Sequence, residues 1–495
     1  MILLIQNSDI YEPDLRAILK AFFPEKEITV VAAKDASHLP PEKMRGLIFT
    51  ALYFEEGTRF RIEEGGRVLF TAYTGGNALS NRKKYRNRIK LASYRILTEY
   101  TRRLLPWGCL TGMRPTKIAT EAFLKGYVPE EVIAVYQENY DTSREKATLA
   151  TAVARKEMEI LSAADPVRDY ALYIGIPFCP TRCLYCSFAA YPIYEMAGKV
   201  KPYLLALKEE LKAIAEMNRG RRLATLYIGG GTPTSLSANE LNRLLTDIEE
   251  IFDTNLLPEY TVEAGRPDSL NREKLTVLKA HGVGRICINP QSMNEKTLQI
   301  IGRAHTPAVV RQAFDETRLA GFKNINMDII VGLPGENIED VRYTLREIEK
   351  LRPESLTVHS LAVKRASRLN IQMDKYRELL PADVEEMRRL AGVSAGQMNM
   401  QPYYLYRQKQ IAGNLENVGY ARLGKECHYN VLIMEEAIDI FAAGAGGVTR
   451  LLNREEGVTT RVDRVANVKD VDGYITRIDE MIDRKYEGIE DRELG

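Results

Sequence analysis

The chain has 495 residues, of which 45% are hydrophobic and 27% are charged, and its formal net charge is +2. This length favours two or three domains with separate cores, and the small net charge argues against a protein that binds a polyanion over its whole surface. No apolar run approaches the about 20 residues that cross a bilayer, and six cysteines without a secretory signal argue against a disulfide framework, so we expect a soluble, cytoplasmic protein.

The N-terminal part of the chain predicts an α+β domain. The segments ILLIQ, DLRAILKAFF and EITVVAA form a strand–helix–strand pattern, and the first is too short for a signal peptide. Strands are expected around Gly46–Tyr53 and Arg59–Tyr73, followed mostly by helix to Ala163. The stretch AADPVRD has the composition of a joint, so we assign residues 1–166 to this domain and assign it no role.

Short β-branched runs then alternate with amphipathic helical patterns. The predicted strands are Tyr173–Ile176, Thr225–Ile228, Tyr260–Glu263, Arg285–Asn289, Ile325–Val331 and Ser355–Ser360. Such alternation implies a parallel sheet with helical crossovers, and six units are fewer than the eight of a closed barrel. We therefore predict an α/β fold, an open partial (β/α)6 barrel over residues 167–374, with its chemistry at the carboxyl ends of the strands.

The last part of the chain, residues 375–495, combines helical patterns with two other segments. One is tyrosine-rich, PYYLYRQKQ, and the other is glycine-rich and strand-like, IFAAGAGGVT. We expect a mostly helical C-terminal region that covers the substrate.

Three cysteines, Cys179, Cys183 and Cys186, fall on the loop after the first core strand. The spacing Cys-x3-Cys-x2-Cys lets each thiolate bind one iron of a four-iron cluster and leaves the fourth iron without a protein ligand. S-adenosylmethionine can chelate that open iron, and one electron from the reduced cluster can then release a 5′-deoxyadenosyl radical. A structural zinc site would need a fourth ligand, and the nearest histidine in sequence is His281. The spacing therefore predicts a [4Fe–4S] cluster.

Glycine and polar residues occur at or near the ends of the other core strands. The second strand ends in Gly229–Gly231, Thr232 and Pro233, and consecutive glycines let a backbone approach a ligand closely. The later polar residues are Glu263, Gln291, Arg303 and Asp328. A glycine run is often an ordinary turn, and each polar residue alone fits a structural hydrogen bond. Because all of them fall near strand ends, we interpret them as a shell around the cofactor.

The motifs YIGIPFC, GGGTPT and DIIVGLPGE resemble those of the oxygen-independent coproporphyrinogen III dehydrogenase (oxidase) family of the radical S-adenosylmethionine (SAM) superfamily. The resemblance is close from Tyr173 to Ala362 and weaker to about Arg450, and the extra N-terminal region is similar to the HemZ-like branch. It implies two neighbouring SAM molecules. The implied first-site residues are Tyr173, Gly230 and Glu263, and the implied second-site residues are Tyr185, Gly231, Thr232, Gln291, Arg303, Asp328 and Ala362. It also implies that Tyr173 and Arg303 belong to the catalytic centre.

The same resemblance implies an activity and its partners. The expected reaction is oxidative decarboxylation of two propionates of coproporphyrinogen III to the vinyl groups of protoporphyrinogen IX, in anaerobic haem biosynthesis. The expected partners are this porphyrinogen and an electron donor such as a flavodoxin or ferredoxin, without a membrane span or nucleic acid. Cations that could bind the substrate carboxylates are Lys364, Arg365, Arg407, Lys409, Arg114 and Lys117.

Two positions depart from the family pattern and support alternatives. Phe188 stands where a fourth cysteine is usual, and Gly175 stands where a histidine is usual. A related family of haem-trafficking proteins also lacks that cysteine, and the segment GKECHYN offers Cys427 and His428 as axial haem ligands. A haem-binding trafficking protein is therefore the first alternative. The basic run NRKKYRNRIK fits a solvated helix face, but it also allows a radical enzyme that acts on RNA.

Overall fold

The computed structural model of the chain describes residues 1–40, 42, 45–76, 82–188, 190–408, 414–455 and 458–494. The chain forms two compact units, one of Met1–Ala154 with Leu405–Glu416 and the other of Arg155–Tyr404 with Asn417–Gly495. The described helices include none with the length and apolarity that a membrane crossing requires.

The first unit contains a mixed sheet covered by helices. Its elements are β1 (Ile2–Gln6), α1 (Glu12–Phe22), β2 (Ile28–Ala32), β3 (Leu47–Phe54), β4 (Gly57–Glu64), β5 (Arg67–Gly75), α2 (Arg82–Thr101), α3 (Thr116–Phe123), α4 (Pro129–Tyr140) and the start of α5 (Arg144–Leu161). The strand order is β2-β1-β3-β4-β5, with β1 parallel to both of its neighbours and the last three strands antiparallel. Helix α1 buries Leu15, Ile18 and Phe22, whose spacing places them on one face.

The predicted strand region Arg59–Tyr73 is a hairpin. Strands β4 and β5 are joined through Gly65 and Gly66, whose φ angles are +59° and +78°. Two consecutive residues with positive φ match the right-handed twist of a tight hairpin, and glycine adopts this conformation at little cost.

A buried carboxylate joins three segments of the first unit. Glu416 accepts hydrogen bonds from Nζ of Lys146 at 2.9 Å and from Nε1 of Trp107 at 2.7 Å. All three side chains are almost fully buried, so each depends on the others to satisfy its polar groups.

The second unit contains the predicted barrel and the C-terminal part of the chain. Its strands are β6 (Asp169–Ile176), β7 (Phe178–Cys179), β8 (Tyr191–Pro192), β9 (Arg222–Gly230), β10 (Glu259–Ala264), β11 (Arg285–Ile288), β12 (Ile325–Val331), β13 (Ser355–Ser360), β14 (Gln401–Arg407), β15 (Glu416–Ala421), β16 (Asp439–Ala443), β17 (Val448–Glu455) and β18 (Val458–Ala466), of which β14 and β15 extend across the division between the units. Its helices are α6 (Ala197–Met217), α7 (Ala238–Ile251), α8 (Arg272–Ala280), α9 (Glu295–Ile300), α10 (Pro307–Leu319), α11 (Ile338–Leu351), α12 (Arg368–Ile371), α13 (Met373–Tyr376), α14 (Val384–Gln397), α15 (His428–Glu435), α16 (Val471–Thr476) and α17 (Ile478–Leu494).

The strands β6, β9, β10, β11, β12 and β13 are neighbours in sequence order and are all parallel. The order of the complete sheet is linear, β14-β15-β13-β12-β11-β10-β9-β6-β16-β17-β18. The prediction of an open partial (β/α)6 barrel is therefore confirmed. Two of the helices that connect the barrel strands begin with a capping box, α7 with Ser237 and Glu240 and α11 with Asn337 and Asp340. Each capping box satisfies free backbone N–H groups at the start of its helix.

The C-terminal region contains the predicted helices and also extends the sheet at both edges. Strand β16 pairs in parallel with β6, and β15 pairs antiparallel with β13. Sequence reasoning identified the strand-like character of IFAAGAGGVT, which contains β16, but it did not place this strand beside β6.

A buried ion pair connects the C-terminal helices to α6. Nζ of Lys485 lies 2.5 Å from Oε1 of Glu210, and both side chains are essentially inaccessible to solvent. The carboxylate also accepts hydrogen bonds from the Tyr474 hydroxyl, from Nδ2 of Asn467 and from the backbone N–H of Gly444. These contacts satisfy the charges that burial would otherwise make costly.

Candidate active site at the strand ends

The three predicted cluster cysteines lie on residues 179–186, which we call the cluster loop. Backbone hydrogen bonds connect the middle of this loop to two other segments, because Leu184 donates to Ile301 at 2.9 Å and accepts from Leu369 at 2.9 Å. The preceding residues form β7, which pairs with β8. The loop is therefore held in one conformation by its neighbours.

The thiols of the cluster loop face a common buried region. Cys179 and Cys183 are less than 10% exposed. Burial raises the pKa of Cys179 to about 11, and the charges of Cys186 and Cys183 contribute to that rise, so the three thiols are close enough to interact. Across the described part of the chain, no three His, Cys, Asp or Glu side chains gather closely enough to hold one metal ion. In a four-iron cluster, each thiolate binds a separate iron.

The glycine run at the end of β9 lies directly against the cluster loop. Gly231 donates its N–H to the carbonyl of Ile176 at 2.8 Å, and Thr232 donates to Phe178 at 2.7 Å. Gly230 has a φ angle of +106°, which strongly favours glycine. A Cβ at Gly231 would lie 2.6 Å from the carbonyl oxygen of Phe178 and 3.0 Å from Sγ of Cys179. The absence of side chains thus allows β9 to approach the first cysteine.

We expect Gly231→Ala to weaken both cluster loading and SAM binding, because the new methyl group would displace the backbone at Phe178. The measurement is iron content and SAM affinity after anaerobic reconstitution. Gly265→Ala is the matched control, since its Cβ would have ordinary contact with Asn289 at 3.6 Å. Equal iron content and SAM affinity in the two variants would contradict the expectation.

Three tyrosines stack beside Glu263 on the inner face of the barrel. The rings of Tyr173 and Tyr227 lie 6.2 Å apart on neighbouring strands, and Tyr429 of α15 lies 4.6 Å from Tyr227. The Tyr227 hydroxyl donates to Oε1 of Glu263 at 2.5 Å. Burial raises the pKa of Glu263 to about 7, Asp328 adds to this rise, and the hydrogen bond from Tyr227 opposes it.

The raised pKa of Glu263 predicts a pH effect on stability. In the folded chain the carboxyl group of Glu263 keeps its proton up to about pH 7, whereas an ordinary glutamate loses its proton near pH 4.5. The folded state then binds more protons in this window, so the contribution of Glu263 to the free energy of unfolding falls as the pH rises from 4.5 to 7. We expect Glu263→Gln to remove this pH-dependent decrease in the free energy of unfolding. The measurement is urea unfolding of the protein without cofactors at a series of pH values. The exposed Glu209→Gln serves as control, and equal pH slopes in all three proteins would refute the assignment.

Beyond Glu263, Asp328 lies on β12, and Gln291 follows β11. Burial disfavours ionised Asp328, but hydrogen bonds from His359 and Asn326 outweigh it and lower the pKa of Asp328. Gln291 has a φ angle of +67° and is held there by backbone bonds with Asp328 and Ile330. A non-glycine residue in this conformation is strained. Among the described residues, the buried Oε1 of Gln291 has no hydrogen-bond partner, so it is available to a ligand.

Arg303 places a second unsatisfied polar group in the same region. Its Nη1 donates to the carbonyl of Asn289 at 2.5 Å, while its buried Nε finds no partner within the described ranges. Burial works against the charged guanidinium, yet the neighbouring Tyr185 and Cys183 raise the pKa of Arg303. Tyr185 also packs on an apolar cluster that includes Leu184 and Ile301.

Each of the six barrel strands contributes one of the residues predicted to bind SAM. These residues are Tyr173 on β6, Gly230 on β9, Glu263 on β10, Gln291 after β11, Asp328 on β12 and Ala362 after β13. Gly231 and Thr232 bond to the backbone just before the cluster loop, Tyr185 belongs to that loop, and Arg303 interacts with Tyr185. SAM carries an ammonium, a carboxylate and hydroxyl groups, and the bare glycine backbone and unpaired polar atoms described above fit such a ligand.

Sequence reasoning missed three residues of this region. Arg266 follows β10, and the rule that selected Glu263 would have found it, because a charged residue comes just after a strand end. Tyr227 and Tyr429 had no such signal, since their stacking joins β9 to a helix about 200 residues later. Only the three-dimensional fold brings them together.

The structure contradicts one of the predicted substrate cations. The guanidinium of Arg407 is buried over the Trp107 ring and donates to the carbonyls of Leu110 at 2.7 Å and Asn414 at 2.8 Å. Both of its Nη atoms are therefore engaged by backbone carbonyls, and the residue is only 3% exposed, so a substrate carboxylate cannot reach it from solvent in this conformation. Lys409 lies outside the described residues.

The remaining substrate candidates differ in exposure. Arg365 and Lys117 are exposed and Arg114 is partly buried. Nζ of Lys364 lies 5.9 Å from the ring of Phe188, which is 64% exposed next to the cluster loop.

The proposed haem ligands and the basic run have structural partners. The Cys427 thiol is completely buried and donates to Glu259 at 3.4 Å, and burial raises its pKa far above the ordinary value. Cys427 therefore cannot reach haem in this conformation, whereas the side chain of His428 is partly exposed. In the basic run, Arg86 forms a two-point ion pair with Asp14, which fits a structural helix face.

Comparisons with known proteins identify the family of the chain and its fold. A family model of the radical SAM superfamily matches residues 173–348. The oxygen-independent coproporphyrinogen-III oxidase-like protein HemZ of Bacillus subtilis (strain 168) is 40% identical over 412 residues, 82% of each chain. The heme chaperone HemW of the same organism is 33% identical over 286 residues, which cover 57% of this chain and 72% of HemW. The structure of coproporphyrinogen III oxidase (HemN) from Escherichia coli, a radical SAM enzyme, has a TM-score of 0.53 at 23% identity over 66% of this chain and 73% of HemN, which shows a shared fold.

Proposed function

Because the chain belongs to the radical SAM superfamily, in the coproporphyrinogen-III oxidase family and its HemZ-like branch, we propose that it oxidatively decarboxylates coproporphyrinogen III to protoporphyrinogen IX. In this reaction each of the two propionates loses one hydrogen atom, one carbon dioxide and one electron, and each electron passes to an acceptor. Family membership implies a [4Fe–4S] cluster and SAM. When bound, these cofactors supply the radical that removes the hydrogen atom.

We assign to the protein residues the roles that the cysteine spacing and the family resemblance imply. Cys179, Cys183 and Cys186 bind three of the irons. The first SAM lies against Tyr173, Gly230 and Glu263, and a second SAM lies among Tyr185, Gly231, Thr232, Gln291, Arg303, Asp328 and Ala362. Tyr173 and Arg303 complete the catalytic centre. The protein orients these groups in a site from which water is largely excluded by the surrounding buried strands.

The observation that carries this proposal is the position of one predicted ligand residue on, or just after, each of the six barrel strands. The pair Lys364–Phe188 adds support for the substrate class. A cation beside an exposed aromatic ring suits an apolar macrocycle that carries carboxylates.

A haem-binding chaperone is the second candidate. It is favoured by the 33% identity to HemW and by Phe188 at the position of the usual fourth cysteine. The burial of Cys427 leaves only His428 of the predicted axial pair for this role.

The test is anaerobic turnover of the reconstituted protein with reductant, SAM and coproporphyrinogen III. The expected result is loss of two carboxyl groups from the porphyrinogen, coupled to formation of 5′-deoxyadenosine. Deoxyadenosine without any change in the porphyrinogen would reject the proposed substrate. Stoichiometric haem binding without turnover would then select the chaperone role.

A further inference from the structure

Arg266 connects the end of β10 to the cluster loop. Its side chain is 3% exposed. Nη1 donates to Oγ1 of Thr181 at 2.8 Å and lies 3.9 Å from Sγ of Cys183. Since Thr181 and Cys183 both belong to the cluster loop, one buried cation contacts the loop at a side chain that binds the cluster.

Asp268 fixes the orientation of this guanidinium. Nε and Nη2 of Arg266 donate to its two carboxylate oxygens at 2.9 Å and 2.7 Å. This two-point pair occupies the side of the guanidinium away from Cys183 and leaves Nη1 directed at the loop. His305 lies on the far side of Asp268, with Nδ1 3.5 Å from Oδ1. The positive charge therefore faces the cysteine, and the negative charge lies behind it.

A cation and N–H donor beside a cluster thiolate affect the two oxidation states unequally. The reduced cluster carries one more electron than the oxidised cluster, so a nearby positive charge stabilises it more. Hydrogen bonds to the coordinating sulfur act in the same direction. Burial reduces solvent screening and strengthens both effects. No bond forms or breaks in this step, and the electron comes from an external donor.

We propose that Arg266 is a positioning residue for the cluster, which orients the Cys183 side of the loop and raises the reduction potential of the cluster, while Asp268 moderates its charge. This inference depends on the cluster that family membership implies. It does not depend on the porphyrinogen as substrate.

The test is a redox titration monitored by electron paramagnetic resonance, with dithionite as reductant and without porphyrinogen. Arg266→Gln removes the cation and is expected to shift the midpoint potential to a more negative value. Asp268→Asn removes the compensating anion and is expected to shift it to a less negative value. Arg222→Gln is the matched control, because Arg222 forms the same two-point pair with Asp169, at 2.7 Å and 2.6 Å, near the amino ends of β6 and β9.

Opposite shifts in the two variants, with an unchanged control, would support the inference, since a purely structural role gives no such reversal of sign. Iron-loaded variants that both titrate like the control would overturn it. If Arg266→Gln retains no iron, Asp268→Asn decides, and an unchanged potential in that variant overturns the inference. A wild-type protein that binds no iron would overturn the cluster assignment as well. An iron-loaded wild type that leaves porphyrinogen untouched would overturn the proposed substrate alone.

Discussion

Replacing Cys183 by alanine is expected to abolish stable cluster binding and to reduce SAM cleavage to the uncatalysed background. The three cysteines of the cluster loop are the protein ligands that we propose for the cluster, and removal of one would leave two irons without a protein ligand. The thiol is also buried against Arg266, so no outside ligand replaces it readily. The measurements are iron and acid-labile sulfide after anaerobic reconstitution, together with 5′-deoxyadenosine formed under reducing conditions.

Cys109→Ala is the matched control for this variant. Cys109 is also buried but belongs to the core of the first unit. We expect this substitution to cost about 1 kcal/mol of stability from the small cavity it leaves, with no change in iron content. A Cys183→Ala protein that keeps its iron and cleaves SAM at the wild-type rate would show that the loop does not bind the cluster.

Lys485→Met is expected to cause a large loss of stability. Lys485 is the cationic partner of the fully buried Glu210. Removal of one partner of a buried pair leaves an uncompensated charge and typically costs about 3–5 kcal/mol. The measurement is the urea midpoint for unfolding of the unit that contains α6, monitored by circular dichroism.

Two further variants separate the buried charge from the loss of packing. Lys212→Met removes an exposed ion pair with Glu209 on the same helix, and its effect should stay within about 1 kcal/mol. The double variant Glu210→Gln with Lys485→Met removes both charges and should recover much of the lost stability. If Lys485→Met unfolds at the same urea concentration as Lys212→Met, the buried pair contributes no more than a surface pair.

The barrel was predictable because its signal is local. Each predicted core strand overlaps a strand of the structure, since β-branched runs and amphipathic helices report on one element at a time. The strand that pairs with β6 outside the six barrel strands was not predictable. Strand β16 begins more than 260 residues later, and no short-range pattern specifies which distant strand pairs with an edge.

The residues of the candidate site also fall into two groups, those that a local sequence pattern predicts and those that only the fold brings together. The cysteine spacing and the Gly229–Gly231 run could be recognised in the sequence because each pattern lies within a few consecutive residues. Arg407 was misassigned because sequence shows charge but not burial, and its guanidinium is enclosed by backbone carbonyls. The stack of Tyr173, Tyr227 and Tyr429 was missed because three separate elements supply its rings.

The position of Glu416 has a consequence for the order in which a newly made chain can mature. Lys146 and Glu416 are 270 residues apart, and at synthesis rates of about 5–20 residues per second that interval lasts on the order of tens of seconds. During it, Lys146 and Trp107 have left the ribosome without the carboxylate that both need when buried. We therefore expect the first unit to reach its final packing only after the second unit's barrel strands have been translated. A nascent chain arrested before residue 405 would remain open to protease at Trp107, whereas a chain released after residue 421 would be protected there.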